Sequence, residues 1–139
     1  KAKTEGAELF AAVKPIEDLT IRLNYTHMDT EDKKTDLDLL RRPKNKFGLD
    51  LNYHFLKKGN ANLGVIYVGK RDDLDFSISP SRRVKLDQYT LVNLAVSYDI
   101  AKNFQLFGRV ENLLDKEYEE AKGFETPGLS FFGGMKLSF

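Results

Sequence analysis

Few residues in this chain are of a type and spacing that supports chemistry. The two histidines, His27 and His54, fall on opposite phases of two different alternating stretches, so they form neither a metal pair nor an acid–base dyad. The sequence has no cysteine, which removes thiolate nucleophiles, cysteine metal sites and disulfides together. No Gly-x-Ser-x-Gly, Walker or zinc-ligand pattern occurs. No catalytic, cofactor-binding or metal residue is therefore expected. What remains are charged loops. Asp29, Glu31, Asp32, Asp36 and Asp38 offer oxygen ligands to a calcium ion, but Lys33 and Lys34 interrupt them and no glycine supplies a turn, which favours a solvated loop. Asp72, Asp73 and Asp75 carry the same two readings. Arg82-Arg83-Val84-Lys85 presents groups suited to an anionic chelate or a phosphate, with a solvated loop edge as the plainer alternative. Phe124 joins Arg82, Arg83 and Lys85 as a candidate ligand-facing residue.

The segments that must position these loops alternate with period two, the signature of pleated strands. Residues 6–14 alternate weakly and end at Pro15, which cannot donate to a ladder. In residues 19–27, Leu19, Ile21, Leu23 and Tyr25 oppose Thr20, Arg22, Asn24 and Thr26. Residues 45–55 place Phe47, Leu49, Leu51, Tyr53 and Phe55 opposite Lys46, Gly48, Asp50, Asn52 and His54. Residues 61–70 have Leu63, Val65 and Tyr67 in phase, while Ile66 and Val68 blur the other face. Residues 88–100 and 104–111 follow, and the last strand puts Phe131, Gly133, Met135, Leu137 and Phe139 on one face. Long polar loops are expected at 28–43, 71–87 and 116–128.

Seven strands result, joined by connections that alternate short and long, as in outer-membrane barrels with tight turns on one side and long loops on the other. Tyr25, Phe47, Tyr67 and Phe131 fall toward the long-loop ends, and Tyr53, Phe55, Tyr98, Phe104 and Phe139 toward the short turns. Two aromatic belts around an aliphatic band suit a membrane barrel, although a soluble sandwich shares the period. Seven antiparallel strands leave the first and last pointing the same way, so this piece cannot close into an antiparallel barrel by itself. It is expected to be part of a longer chain. Charge agrees: 22 basic against 21 acidic residues, net +1, argue against a nucleic-acid partner. No stretch approaches the ~18 apolar residues of a membrane helix.

The terminal stretch decides among these. Arg109-Val110-Glu111-Asn112-Leu113-Leu114-Asp115-Lys116-Glu117-Tyr118, then Thr126-Pro127-Gly128, then a strand ending on Phe139, resembles the C-terminus of TonB-dependent outer-membrane receptors. Ala2, Gly6 and Glu8, and Leu23-Asn24-Tyr25-Thr26, are similar to late barrel strands of that family. The resemblance implies an all-β fold: an antiparallel transmembrane β-barrel segment, residues 1–139 being the C-terminal part of a barrel of about 22 strands. It also implies a plug domain and earlier strands outside this sequence. Such receptors take up ferric siderophores, cobalamin or similar scarce solutes across the outer membrane of Gram-negative bacteria, driven through TonB, which contacts the plug. The implied partners are outer-membrane lipid, the barrel-assembly machinery, TonB and a small chelate. In outer-membrane barrels a terminal aromatic with alternating apolar residues resembles an assembly signal, here Phe131, Gly133, Met135, Leu137 and Phe139. A small pore or adhesin barrel and a soluble ligand-binding barrel are the alternatives. A soluble, compact monomer without detergent is not expected of this segment alone, because two open edges and an aromatic face invite association.

Overall fold

The computed structural model describes all 139 residues. Nine strands form: β1 (Ala2–Ile16), β2 (Leu19–Asp32), β3 (Asn45–Phe55), β4 (Gly59–Val68), β5 (Arg71–Asp75), β6 (Arg82–Leu86), β7 (Tyr89–Ala101), β8 (Phe104–Glu111) and β9 (Ser130–Leu137). Seven of them make one antiparallel sheet in the order β1-β2-β3-β4-β7-β8-β9, and β5 and β6 pair as a separate hairpin. The sheet is all-β, antiparallel and open at β1 and β9.

Register follows from the side-chain phase. Val13, Ile21, Leu51, Leu63, Leu94, Val110 and Phe131 face one another in turn across all seven strands. One residue of slip at any pairing would move an entire apolar set to the opposite face, so this row fixes every register at once. On the other phase, across β2, β3 and β4, polar side chains meet one another: Arg22 meets Asp50 at 3.2 Å, Asp50 accepts from Asn62 at 2.6 Å, and Asn52 and Asn60 bond reciprocally at 3.1 Å. His54 lies on this face 3.2 Å from Asn60, whereas His27 lies on the apolar phase beside Asn45 at 2.9 Å, so the two histidines do not meet.

The aromatics collect at both ends of the apolar band. Tyr53, Phe55 and Tyr98 stack in series near the short turns, with ring centroids 6.4 and 6.3 Å apart. At the long-loop end, Tyr25 donates to Asn45 at 2.7 Å and Tyr67 to Gln88 at 3.3 Å. A ring in an apolar band with its hydroxyl in a polar layer is the arrangement an interface rewards.

Several elements depart from what alternation suggests. The stretch 71–87 is not a plain polar loop: it is the β5–β6 hairpin, which continues β4 and β7 beyond the main sheet. Its alternation is written in charges, with Asp72 opposite Lys85 and Asp75 opposite Arg82, so no apolar period marks it. β2 runs to Asp32 instead of stopping near His27, because the polar end of β1 pairs with it from Ala2 onward. β1 passes through Pro15, which sits at a register shift between Val13 and Ile16 where no ladder donor is required. β9 ends at Leu137, and Phe139 lies past it, fully exposed. Ile66 and Val68 blur β4 for a reason. They occupy the polar phase near the loops, where Val68 is buried beside its register partner Tyr89.

Candidate functional site

Only ten residues are buried, and nearly all of them, including Val68, Arg71, Asp73, Leu86, Tyr89 and Asn112, lie at the long-loop end of the sheet. A two-faced sheet has no core, so the enclosed region is where three loops fold together.

The third loop starts from Asn112. Its backbone is left-handed (φ 51°), a conformation asparagine tolerates better than most residues. Its N–H donates to the Asn93 side chain at 2.9 Å, its amide oxygen accepts from the Lys116 N–H at 2.8 Å, and its Nδ2 donates to the Lys116 carbonyl at 3.0 Å. One buried side chain thus closes the turn that follows β8. Asp115 ties the far end of the loop back by accepting from the Leu129 N–H at 2.8 Å.

Asp73 is the hub of the cluster. Its carboxylate is 1% exposed and accepts from Arg41 Nε of the first loop at 2.8 Å, from the Lys122 N–H of the third loop at 2.7 Å, and from the Leu74 N–H of its own strand at 2.9 Å. Burial pushes this carboxyl up, but the Lys122, Arg41 and Leu74 donors together outweigh burial and hold it below the ordinary carboxylate value. Asp75, also outside the main sheet, is lowered by the Ser77 hydroxyl and N–H. The first loop is fastened again by the Arg41 N–H to the Asp72 carbonyl at 2.7 Å. Three chain segments far apart in sequence are therefore pinned at one point.

Beside the hub, Arg71 is 6% exposed, donates to the Glu119 carbonyl and lies 5.3 Å over the Tyr89 ring. Tyr89 packs on Tyr118 with centroids 4.3 Å apart. The guanidinium has no carboxylate partner in the chain, and its Nη1 is buried without an acceptor.

Between β6 and the third loop lies a cavity of about 820 Å³. One wall is the consecutive run from Val84 to Gln88, and the facing wall runs from Asp115 to Glu119. The walls carry the carboxylates of Asp87, Asp115, Glu117, Glu119 and Glu125 against the ammonium groups of Lys85, Lys116 and Lys122. Apolar lining is sparse.

The residues singled out by sequence are distributed unevenly. Lys85 lines the cavity, whereas Arg82 is exposed on β6 opposite Asp75. Arg83 is already engaged, its Nη2 2.7 Å and its Nε 2.9 Å from Asp72 Oδ2, with a further bond to the Asp38 carbonyl. Its charge is thus committed to holding the hairpin against the first loop. Phe124 is exposed on the third loop. Phe131, Gly133, Met135 and Leu137 share the apolar phase of β9. The carboxylates of residues 29–38 meet lysines: Glu31 pairs with Lys33, and Lys44 reaches Asp38 at 3.4 Å and Asp29 at 3.6 Å. Sequence reasoning missed Arg71, Tyr89, Tyr118 and Lys122, and treated Asp73 only as one carboxylate of a run with two readings, oxygen ligands for calcium or a solvated loop. The mirrored charges of Asp72 and Asp75 with Lys85 and Arg82 were the available signal.

Comparison with known proteins fixes the family. Residues 1–113 match the model described as TonB dependent receptor-like, beta-barrel. The chain belongs to this family. It is similar to the vitamin B12 transporter BtuB of Vibrio cholerae, 41% identical over 78 residues, which are 56% of this chain and 13% of the transporter. Its fold is similar to the ferripyoverdine receptor of the outer membrane of Pseudomonas aeruginosa, with a TM-score of 0.84 at 21% identity, over 99% of this chain and 20% of the receptor. The ferric-catecholate import receptor Fiu of E. coli K12 is similar over 99% of this chain and 21% of its own length, with a TM-score of 0.82 at 18% identity. These relatives are transporters and receptors, not enzymes. The chain thus spans about a fifth or less of the relatives it matches. As a piece of such a barrel it belongs to the outer membrane of a Gram-negative bacterium.

Proposed function

We propose that this chain is the C-terminal segment of the barrel of an active-transport receptor that takes up a scarce solute, such as a ferric siderophore or cobalamin, in a TonB-dependent manner. The observation that carries this is the family match combined with three outer loops pinned together at Asp73, beside a cavity of small-molecule size between the hairpin and the third loop. No residue here is assigned a catalytic role. The plug, and with it the contact to TonB, would lie in the remainder of the receptor. Lipid meets the apolar phase, and β9 with Phe139 would be read by the barrel-assembly machinery.

The test is a full-length receptor lacking the β5–β6 hairpin. Uptake of the cognate chelate should fall sharply while the amount of barrel in the outer membrane stays the same. Unchanged uptake excludes this loop cluster as the ligand-contacting part. A pore or adhesin would instead pass or bind its partner without an energised inner membrane, so uptake that survives loss of TonB overturns the receptor function.

A further inference from the structure

β6 has one open edge. It pairs only with β5, and no backbone hydrogen bond links it to the third loop. On an antiparallel strand, alternate residues aim their N–H and C=O groups away from the partner, so Arg82–Leu86 presents an unpaired row along that side. β6 continues β7, the next strand round the sheet is β8, and the segment that follows β8 is the third loop, which stands off across the cavity. The void is thus a slot bounded by two stretches of backbone: the wall from Val84 to Gln88 is roughly 16 Å long at ~3.3 Å per residue, and its first three residues, Val84, Lys85 and Leu86, belong to the open edge of β6.

Resting on the receptor function above, we propose that this slot is a substrate subsite for an extended, amide-bearing chelate with a positively charged side group, held by strand addition to β6. An amide backbone supplies the alternating donors and acceptors that the open edge lacks. The charge follows from the walls, where five carboxylates face three lysines. Glu119 is tied to Lys122 at 3.2 Å, Asp87 lies 3.9 Å from Lys70, and Asp115 accepts from the Leu129 N–H, which leaves Glu117 and Glu125 as the carboxylates free to receive a cation. A polyanionic complex would meet net repulsion in the slot and find only one aromatic ring, Tyr118, to stack on.

The experiment uses the detergent-purified full-length receptor and one probe in four forms. The probe is an extended pentapeptide with a terminal hydroxamate group holding iron(III) and a single lysine. Three forms differ in charge, the free amine, the acetylated neutral form and the succinylated anionic form, and the fourth is the amine form N-methylated at alternate amides, made in two versions that methylate the odd or the even set. Affinity should fall about tenfold from amine to neutral and again from neutral to anionic. N-methylation at one set of alternate amides should abolish binding, while the other set is tolerated. Glu117→Gln and Glu125→Gln, checked for normal membrane levels, should weaken the amine form about tenfold and leave the neutral form unchanged. Affinities indifferent to charge and methylation overturn the proposal, as do wild-type affinities in both variants. Cellular accumulation separates the two levels. Binding selectivity without TonB-dependent accumulation refutes the receptor function and keeps the slot, whereas TonB-dependent accumulation of all charge forms alike refutes the slot and keeps the receptor.

Discussion

Removing the Asp73 carboxylate should release the outer loops from one another without disturbing the barrel wall. Asp73 accepts three hydrogen bonds, two from backbone N–H groups and one from the Arg41 guanidinium. Each of the three is made to an ionised carboxylate and contributes ~1.5–3 kcal/mol, and the desolvation of that buried carboxylate, which Asp73→Ala relieves, offsets part of it, so the loss is roughly 4 kcal/mol. The Arg41 side chain is 51% exposed and regains water when freed, which brings the local cost to about 3 kcal/mol. None of these bonds belongs to the seven-stranded sheet, so the loss should appear as local opening. Hydrogen exchange on the full-length receptor reads it directly: the amides of Lys122, Leu74 and Arg41 should exchange about a hundredfold faster, with β3, β4 and β7 unchanged. Asp73→Asn keeps one acceptor and should give a smaller effect. Acid supplies an independent arm. The folded-state pKa of Asp73 is depressed, so its contribution is complete above the ordinary carboxylate value near ~4 and is lost as pH falls through the folded value. The loops should stay pinned at neutral and mildly acid pH and loosen only below about pH 4. Acceleration confined to one loop, or spread evenly over the sheet, would refute the hub.

Asn112→Leu should cost the third loop its turn, since leucine adopts a left-handed backbone at ~1–2 kcal/mol and cannot bond both ends of Lys116. Limited proteolysis should then cut within residues 113–128 while the strands resist; an uncut loop would contradict this role. Phe139→Asp in the full-length receptor should sharply reduce the amount inserted in the outer membrane while inserted protein keeps its ligand affinity. Normal insertion with a slightly lower melting temperature would mean that Phe139 is only a lipid-facing anchor, worth ~1.5–3 kcal/mol.

The sheet was legible because a membrane barrel writes its fold in alternation. Leu19, Ile21, Leu23 and Tyr25 against Thr20, Arg22, Asn24 and Thr26 can sit only one way between lipid and a polar lumen, and every register follows. The loop cluster was not legible to the same degree. Asp72, Asp73 and Asp75 read as a solvated loop or as calcium ligands, and Arg71 only as the start of a polar loop, because composition says nothing about which charges are desolvated. Whether Asp73 is buried depends on Arg41 and Lys122 arriving from 32 and 49 residues away. Asn112 marks the intermediate case. It lies in a recognisable run, yet its role as the pivot of a turn emerges only from its bonds to Asn93 and Lys116.

On the proposed receptor function, recognition can change while the barrel does not. In the wall, each residue is constrained twice, by its ladder and by the face it must present, so a change at Leu51 or Asn62 disturbs a row that crosses the whole sheet. Beyond the ends of the main sheet that double constraint lapses. Asp73 and Asn112 are then the main pins of the loops, joined by the bonds of Arg71, Arg83 and Asp115, and Glu117 and Glu125 on the cavity wall enter no ion pair. Substitutions there should alter charge and shape in the cavity at little cost in stability, provided the two pins are kept. Specificity can therefore drift on a fixed frame, and the positions free to drift are the ones that line the slot beside β6.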